Sequence, residues 1–482
     1  MIRLPLFAAA ALLAAACTRG PETARTLPLE ACRLPGIDVP AQCGTLSVFE
    51  DRAAGRGRKI DIHVAVVPAR LRHRDPDPVL VFAGGPGQGA ISLASQVMPL
   101  FAPLNDSRDI LFVDQRGTGE SNPLDCEDGE SNSLQALFED KLPEKLVRAC
   151  LEQLDGDPRQ YVTSIAIEDM EDVRAALGYP RLNLWGGSYG TRAALEYLRR
   201  HPDHVRTVVL DGVAPPSMKL PLSFVTDGEA ALQQLLDACD AEAMCKSTYP
   251  DLRVMIAQLR GQLAHRPQRV AIQDPRTGDR QLIQVNENVF LSGLFRPLYV
   301  AELASLLPYG VSAAASGDFN PLLAQNLEFT SDVSENLAVG MHLSVVCAED
   351  VPRITPEDLG GLSQSFFGRA LVDDFIRACR LWPRGAVPAD FYDPVHSDVP
   401  ALLLSGGIDP ATPPRHAQWV AQGLSHSRQL VAPNLGHGVS LHGCAPRLIE
   451  KFVREGTADG LDGKCLERIP RPLFVLPLGT AR

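Results

Sequence analysis

The chain contains no internal apolar run of the roughly 18–20 residues that a membrane-spanning helix needs. It also contains no internal repeat and no long low-complexity tract. Basic residues are fewer than acidic ones. The chain has 46 Lys and Arg and 58 Asp and Glu, which gives a formal charge of −12. Nucleic acid is therefore not the expected partner, since phosphate binding needs a basic face. Neither a CxxC pair nor an HExxH helix occurs, so we expect no zinc, and no motif implies another cofactor.

Apolar residues are plentiful enough for a large folded core. The 482 residues are 45% hydrophobic and 22% charged, which argues against global disorder and fits one large fold with an insertion, or two domains. Short apolar runs predict strands at residues 62–67, 79–82, 110–113, 182–185, 207–210, 401–404 and 429–431. The later runs are continuous, as expected for strands covered on both faces, and a helix capped by Ser164 and ended by Gly178 lies between two of them. This alternation predicts an α/β fold with a mainly parallel, doubly wound sheet.

Strand signals fade after Asp211 and return at residue 401, with mostly helical periodicity between them. We therefore predict a core formed by residues 45–214 and 396–482, interrupted by a mostly helical cap at 215–395. A second independent domain is the alternative for this middle stretch.

The first residues are predicted to be a secretory signal, because Arg3 precedes the apolar stretch 4–16. A short buried helix is the alternative. Cys17 follows three alanines and resembles the cysteine of a bacterial lipoprotein box, which predicts a lipoprotein signal at 1–17 and lipidation of Cys17. An ordinary cleaved signal is the other possibility. Residues 18–44, rich in proline and polar residues, are predicted to be a tether, and the expected location is the periplasm or cell envelope, with attachment to the membrane through lipidated Cys17.

Ten cysteines remain once Cys17 is set aside, and an even number suits disulfides in an exported chain. Pairing each cysteine with its nearest neighbour along the chain gives five local bridges. These would be Cys32–Cys43, Cys126–Cys150, Cys239–Cys245, Cys347–Cys379 and Cys444–Cys465. The pairing is a hypothesis, because sequence alone does not fix connectivity.

A G-x-S-x-G motif at residues 186–190 is the strongest chemical signal in the chain. The buried-strand run 182–185 precedes it and a helical pattern follows it, which is the strand–turn–helix arrangement of a nucleophile elbow. Ser188 is therefore the candidate nucleophile, on a strained turn where side chains at Gly186 and Gly190 would strike neighbouring backbone. The alternative is a glycine-rich turn with an incidental serine.

A serine hydroxyl needs a base, and after such an elbow the acid and the histidine follow in the order Asp, His. Asp409 lies just beyond the predicted strand 401–404, and His437 lies in a loop of small residues after the last predicted strand. The alternatives are a turn-forming Asp-Pro at Asp409, a simple loop histidine at His437, and His442 as the base.

Two N–H donors are needed for the negative oxygen that develops during acyl transfer. We assign one to Tyr189, directly after the nucleophile, and the other to Gly85. Gly85 lies in the glycine-rich loop 83–87, where the backbone can approach a substrate closely. A plain turn is the alternative for this loop.

Five motifs together resemble the prolyl iminopeptidase and tripeptidyl aminopeptidase family of α/β-hydrolase serine peptidases, in its exported, disulfide-containing subgroup. They are AGGPG at 83–87, VDQRGTG at 113–119, WGGSYG at 185–190, GGIDPATP at 406–413 and GHG at 436–438. The resemblance implies an α/β-hydrolase fold with a helical cap, the catalytic and oxyanion roles assigned above, and no cofactor. Ala83 departs from the family pattern, since that loop often begins with histidine.

The same resemblance implies how a substrate is held, because cap carboxylates of this family bind the free amino group of a peptide. The segment at 347–350 (CAED) is similar to the one that carries such an acid, which implies Glu349, or else Asp350, as the amino-group ligand. A carboxylate pairs well with an ammonium and rejects blocked N-termini. The alternative is an ordinary surface acid pair.

The sequence therefore predicts a serine aminopeptidase of prolyl or tripeptidyl type, acting on peptides with a free N-terminus through an acyl-enzyme. A carboxylesterase with the same triad is the first alternative. A catalytically silent envelope binding protein that keeps the fold is the second. Neither the number of residues released per cut nor the oligomeric state follows from the sequence.

Overall fold

The computed structural model describes residues 27–126, 134–139, 141–274, 278–334 and 337–477. The predicted signal segment 1–17, with Cys17, lies outside these residues. Within them, no helix combines the length and the hydropathy required to cross a bilayer.

Eleven strands occur in the described residues, and they include every strand predicted above. They are β1 (Glu30–Cys32), β2 (Ala41–Phe49), β3 (Lys59–Val67), β4 (Val79–Phe82), β5 (Ile110–Val113), β6 (Leu182–Gly187), β7 (Val205–Asp211), β8 (Gln268–Gln273), β9 (Arg280–Val285), β10 (Ala401–Gly406) and β11 (Ser427–Ala432). Nine of them form one sheet in the order β1-β2-β3-β5-β4-β6-β7-β10-β11. β1, β2 and β3 pair antiparallel, whereas every pair from β5 to β11 in that order is parallel. The predicted fold, a mainly parallel sheet of the α/β-hydrolase type, is confirmed.

Helices fill the connections between the strands. They are α1 (Ala90–Phe101), α2 (Leu134–Phe138), α3 (Glu144–Gln153), α4 (Thr163–Leu177), α5 (Tyr189–Arg200), α6 (Leu222–Ala241), α7 (Ala243–Thr248), α8 (Leu252–His265), α9 (Glu287–Phe295), α10 (Ala301–Ala304), α11 (Leu307–Ala315), α12 (Asn320–Ser334), α13 (Val339–Val345), α14 (Pro356–Gly361), α15 (Ala370–Leu381), α16 (Pro414–Ala421), α17 (Ala445–Glu455) and α18 (Lys464–Glu467).

Apolar layers cover both faces of the sheet. In β4, Leu80 and Phe82 pack into the layer that contains residues of α4, α5 and α16, while Val79 and Val81 pack into the layer that contains residues of α1 and α17. All four β4 residues are buried, which is why this strand is a continuous apolar run in the sequence.

The residues between the end of β7 and the start of β10, numbers 212–400, are here called the inserted region. It is mostly helical, as predicted, and has an apolar core of its own built mainly from α6, α8, α9, α11 and α12. It also contains the antiparallel hairpin β8–β9, which the sequence analysis did not predict. The domain bounds at 214/215 and 395/396 stay a prediction.

The predicted tether at 18–44 is wrong for residues 27–44. This segment forms β1 and the start of β2, with Glu30 opposite Cys43 and Cys32 opposite Ala41. The disulfide Cys32–Cys43 closes the hairpin, and the pairing gives the backbone N–H and C=O groups partners at the edge of the sheet. Residues 18–26 lie outside the described part of the chain.

Disulfides join all ten cysteines of the described residues in the predicted nearest-neighbour pattern. The bridges are Cys32–Cys43, Cys126–Cys150, Cys239–Cys245, Cys347–Cys379 and Cys444–Cys465. Five bridges indicate an extracellular or otherwise oxidising location, since reducing compartments keep thiols free.

Candidate active site

Ser188 lies at a sharp turn between β6 and α5, at the carboxyl edge of the sheet. Its backbone has φ 55° and ψ −124°, a left-handed conformation that a residue other than glycine rarely adopts. The N–H of Ser188 donates to the carbonyl oxygen of Asp211 at 2.9 Å, which ties the turn to the end of β7. The turn is the strained elbow that the sequence predicts.

Gly186 and Gly190 allow the two limbs of this turn to approach closely. A Cβ atom on Gly190 would overlap the carbonyl oxygen of Phe82, and one on Gly186 would overlap the carbonyl oxygen of Gly190. A side chain at either position would strike backbone, as predicted from the sequence. Neither position can therefore carry a residue other than glycine unless β4 or α5 moves.

Asp409 and His437 form a hydrogen-bonded pair at the same edge of the sheet. The Nδ1 atom of His437 is 2.9 Å from Oδ2 of Asp409, whose side chain is completely buried. Asp409 Oδ1 accepts the N–H groups of Ala411 and Thr412, each at 2.8 Å. Thr412 Oγ1 adds a hydrogen bond of 2.7 Å to Oδ2 and lies 3.1 Å from His437 Nδ1. The carboxylate is therefore fixed in one orientation toward the imidazole.

The rival base, His442, is far less suited to this role. It is exposed, and its side chain makes no hydrogen bond or ion pair among the residues that the structure describes. The imidazole that contacts Asp409 belongs to His437.

The pKa values of the pair favour a charged carboxylate and a basic imidazole. Burial raises the pKa of Asp409, but the charge of His437 and hydrogen bonds from His437 and Thr412 outweigh burial and hold it below its usual range. Burial lowers the pKa of His437, but the adjacent Asp409 carboxylate outweighs burial and leaves it above its usual range. His437 is thereby a stronger base than a free histidine.

Ser188 and His437 both reach the end of β7. Ser188 N–H binds Asp211, and the Cβ position of the next residue, Gly212, is 3.2 Å from Cε1 of His437. Across the described residues, no hydrogen bond joins the Ser188 hydroxyl to His437. Such bonds are often long in enzymes without substrate and shorten when substrate binds.

Asp211, which the sequence analysis did not assign, holds the loop that carries His437. Its buried carboxylate accepts the N–H of Val439 through both oxygens, at 2.8 and 3.0 Å, and the N–H of Ser440 at 2.7 Å. Trp185 Nε1 donates to Ser440 Oγ at 3.1 Å, a second tie to the same loop. A buried acid that ends a strand could have been noticed in the sequence. Its role could not, because the N–H groups that donate to it lie 228 and 229 residues further along the chain.

Gly85 and Tyr189, the predicted oxyanion donors, both belong to segments next to Ser188. The loop 83–87 lies beside the nucleophile, since the Cβ position of Gly84 is 3.5 Å from Cβ of Ser188. Tyr189 is the first residue of α5, where backbone N–H groups have no acceptor within the helix. Among the described residues, neither the Gly85 nor the Tyr189 N–H has a hydrogen-bond acceptor. Their role as oxyanion donors stays a prediction.

Glu349 and Asp350 are buried and already paired, so they are not the surface acid pair that was the alternative. Their side chains are 1% and 0% exposed. Asp350 binds the Arg192 guanidinium through both oxygens, at 3.0 and 3.1 Å, and Glu349 Oε2 lies 3.5 Å from Arg192. Arg353 adds a contact of 3.4 Å to Asp350. Their role as amino-group ligands stays a prediction.

Glu349 also caps a helix and supports Tyr189. Its Oε1 accepts the N–H of Thr163 at 2.7 Å and its Oε2 accepts the Thr163 hydroxyl at 3.0 Å. The predicted cap of this helix, Ser164, is wrong: α4 begins at Thr163, and a carboxylate from the inserted region satisfies the free N–H instead. Thr163 Oγ1 is 2.7 Å from the Tyr189 hydroxyl. Burial raises the pKa of Glu349 to about 7, although Arg192 opposes the shift.

Asp114 and Arg116, in the motif at 113–119, tie loops together. Asp114 Oδ1 accepts the N–H of Ile91 at 2.9 Å. Arg116 is completely buried and binds Asp169 at 2.6 and 2.8 Å as well as the carbonyl oxygen of Glu50 at 2.7 Å. These contacts stabilise the loops behind the elbow.

One group in the described part of the chain has the spacing of metal ligands. Atoms of Glu171, His201 and His204 lie within 4.8 Å of one another. Glu171 is already bound by Arg174 and by the Tyr197 hydroxyl, and the Arg174 guanidinium would repel a cation. His201 follows the C-terminal end of α5, whereas Ser188 precedes its N-terminal end, so the group lies about 18 Å from the elbow.

Family models match two stretches of the chain. Residues 77–237 match a model described as alpha/beta hydrolase fold, and residues 364–465 match one described as TAP-like protein. The first stretch contains Ser188 and Gly85. The second contains Asp409 and His437.

Curated relatives are distant. The chain is 28% identical over 197 residues to a tripeptidyl aminopeptidase from Streptomyces lividans, covering 38% of this chain and 37% of that protein. It is 23% identical over 466 residues to the serine protease Hip1 from Mycobacterium bovis, covering 89% of each. It is 30% identical over 141 residues to a proline iminopeptidase from Neisseria gonorrhoeae, covering 29% of this chain and 34% of that protein. The matches therefore span only about a third of the length of the two aminopeptidases.

Proposed function

Since this chain is an α/β-hydrolase that carries a TAP-like region, we propose that it is a serine peptidase that cuts peptides near a free N-terminus. The observation that carries the proposal is the buried Asp409 carboxylate, hydrogen-bonded to His437 beside the strained Ser188 turn. Distant similarity to aminopeptidases and to a serine protease supports a peptide as substrate. We assign no cofactor to the reaction.

In the proposed reaction, the Ser188 hydroxyl attacks the scissile carbonyl carbon while His437 removes its proton. Asp409 keeps the proton-bearing Nδ1 of His437 facing the carboxylate, which leaves Nε2 available as the base, and stabilises the imidazolium that forms. His437 then protonates the leaving amine, the peptide bond breaks, and Ser188 holds the acyl group as an ester. Water, activated by the same imidazole, hydrolyses this ester and restores the serine.

The N–H groups of Gly85 and Tyr189 are the proposed oxyanion donors. The closeness of the loop 83–87 and of the start of α5 to Ser188, and the lack of acceptors for both N–H groups among the described residues, support this role. Two fixed donors stabilise the negative oxygen as it develops, and each contributes roughly 10²–10³-fold to turnover in comparable sites.

A panel of reporter substrates tests the proposal. The purified protein is assayed with aminoacyl, dipeptidyl and tripeptidyl reporter amides, each with a free and an acetylated N-terminus, and with 4-nitrophenyl acetate. We expect cleavage of unblocked amides, loss of cleavage on acetylation, and a fall of roughly 10⁴–10⁶-fold in turnover in Ser188→Ala. Ser316→Ala, at an exposed serine of the inserted region, is the matched control.

Three kinds of result would contradict the proposal. Turnover in Ser188→Ala near that of the wild type would show that Ser188 is not the nucleophile. Equal cleavage of acetylated and free substrates, or cleavage of the ester alone, would favour a carboxylesterase with the same catalytic groups. Absence of all turnover and of fluorophosphonate labelling would favour a binding protein that keeps the fold.

We also propose that the protein is exported to the periplasm or cell envelope and lipidated at Cys17. Five disulfides support an oxidising compartment. Growth with a fatty-acid probe should label the wild type and not Cys17→Ser. An unlabelled wild-type protein contradicts the anchor.

A further inference from the structure

The loop that contains Gly85, the proposed oxyanion donor, has unusual backbone freedom. Gly85 and Gly87 have φ values of 109° and 114°, which residues with a side chain rarely adopt. A glycine backbone reaches many conformations at similar free energy, so a loop of this kind needs contacts from outside to hold one of them. The direction in which the Gly85 N–H points depends on which conformation is held.

Residues 337–342 of the inserted region, here called the clamp segment, lie against this loop. The N–H of Ala338 donates to the carbonyl oxygen of Gly87 at 3.0 Å. Leu337 forms an isolated antiparallel bridge with Gln88, directly after the second glycine. A Cβ atom on Gly87 would lie 2.8 Å from the carbonyl oxygen of Ala338, so the two backbones are in close contact. The clamp segment therefore holds the end of the loop.

His342, at the end of the clamp segment, contacts the residue between the two glycines. Its Nδ1 atom lies 3.0 Å from the carbonyl oxygen of Pro86. A carbonyl oxygen only accepts hydrogen bonds, so the proton of the neutral imidazole lies on Nδ1. The other contact of the ring is edge-on to Phe375 of α15, with centroids 5.7 Å apart.

The surroundings of His342 keep its imidazole neutral. Removal from water lowers the pKa of His342, and this outweighs the opposing effects of the Pro86 carbonyl and of the Asp350 charge. At neutral pH the ring therefore carries one proton, which the hydrogen bond to Pro86 uses. The reaction proposed above assigns no role to this histidine.

We propose that His342 is a positioning residue for the reaction, whose hydrogen bond to Pro86 holds the loop in the conformation that directs the Gly85 N–H at the substrate oxygen. This inference rests on the proposed oxyanion role of Gly85 and extends it. Because Pro86 lies between the two glycines, fixing its carbonyl restricts the rotation of both. The negative oxygen exists in the transition state and not in the bound substrate, so a loosened loop should lower kcat more than it changes KM.

Two substitutions separate the donated hydrogen bond from the packing of the ring. His342→Phe keeps a ring against Phe375 and removes the donor. His342→Asn loses the ring and keeps an N–H donor near the position of Nδ1, since both nitrogens are bonded to Cγ. His265→Phe and His265→Asn, at the exposed last residue of α8, are the matched controls.

Each variant is assayed with 4-nitrophenyl acetate and with the unblocked reporter amide that the wild type cleaves fastest. The ester is included because its hydrolysis uses the same nucleophile and oxyanion donors without a peptide bond. Turnover is expressed per active site, counted by fluorophosphonate labelling carried to completion. This normalisation cancels any loss of folded protein.

We expect kcat to fall about tenfold or more in His342→Phe with KM nearly unchanged, and most of this loss to be recovered in His342→Asn. The His265 variants should match the wild type. A kcat in His342→Phe that equals or exceeds that of His342→Asn would overturn the inference, because ring packing and not the hydrogen bond would then matter. A rise in KM with kcat intact would overturn it as well. A wild type that hydrolyses the ester and none of the amides would overturn the peptidase function alone, since the ester still tests His342.

Discussion

The sheet core and the inserted region differ in how they hold their polar groups. In the core, Ser188, Asp409 and His437 stand at the ends of buried strands, and backbone N–H groups or hydroxyls fix Asp409 and Asp211 at 2.7–3.0 Å. The inserted region instead contains an apolar cleft lined by Phe295 and Phe367, whose carboxylate, Asp374, is partly exposed and pairs with the half-exposed Arg377. Fixed donors therefore hold the carboxylates of the core, whereas an ion pair with a half-exposed arginine holds the carboxylate of the cleft.

Two of the contacts between the two regions involve residues of the candidate site. Tyr299 contacts His437 through its ring and its carbonyl oxygen. Glu349 reaches α4 and, through Thr163, the Tyr189 hydroxyl. The inserted region therefore supports two residues of the candidate site.

The largest effect is expected in the core, from Asp409→Asn. The amide cannot stabilise the imidazolium and favours the wrong proton position on His437, so we expect kcat to fall about 10⁴-fold for peptide and ester substrates alike. Asp459→Asn, at an exposed position, is the control. A loss below tenfold would mean that Asp409 only shapes the turn that it begins.

Cys347–Cys379 and Cys239–Cys245 both lie in the inserted region, and these two disulfides should differ in how much they stabilise it. Removing Cys347–Cys379, with a sequence separation of 32, should lower the free energy of unfolding by about 3–4 kcal/mol on chain-entropy grounds. Removing Cys239–Cys245, with a separation of 6, should cost about 2 kcal/mol. Paired serine variants and urea titration measure both. The reverse order would show that native packing, not loop closure, sets the contribution of each bridge.

Glu349→Gln tests whether the inserted region supports the oxyanion site. Because Glu349 binds Thr163, which contacts Tyr189, we expect kcat to fall about tenfold for peptide and ester, in the range for a lost charged hydrogen bond. Glu357→Gln, at an exposed position of α14, should match the wild type. A rise in KM for free-amine peptides, with ester turnover intact, would restore Glu349 as the amino-group ligand.

The smallest effect is expected from pH. His437 must be neutral to act as a base, and its pKa lies above the ordinary value of about 6.5, so kcat/KM should rise with pH through a midpoint above that value and then level off. In Asp409→Asn the neighbouring charge is lost and the midpoint should move to lower pH. A wild-type midpoint well below 6.5 would contradict the raised pKa.

Patterns along the chain predicted the core far better than the inserted region. β4 and β5 begin and end at the predicted residues, because strands buried on both faces are unbroken apolar runs bounded by polar residues. The catalytic candidates follow motifs with fixed places at strand ends. Nearest-neighbour pairing gave the disulfides because each joins segments that are close in sequence.

The hairpin β8–β9 escaped prediction because it is half exposed. Only alternate residues such as Ile272, Ile283 and Val285 are buried, so no continuous run marks it. The alternation itself is a strand signal that could have found it. The partners of Glu349 could not be found in this way, since Thr163 is 186 residues away and Arg192 is 157 residues away.

Fluorophosphonate labelling followed by peptide mapping measures whether the Asp409–His437 pair makes Ser188 nucleophilic. We expect a single adduct on Ser188 in the wild type, formed at an unchanged rate in the exposed control Asp459→Asn and at least about 10³-fold more slowly in His437→Ala. An adduct on a different residue, or equal labelling of Ser188 with and without the imidazole, would contradict it.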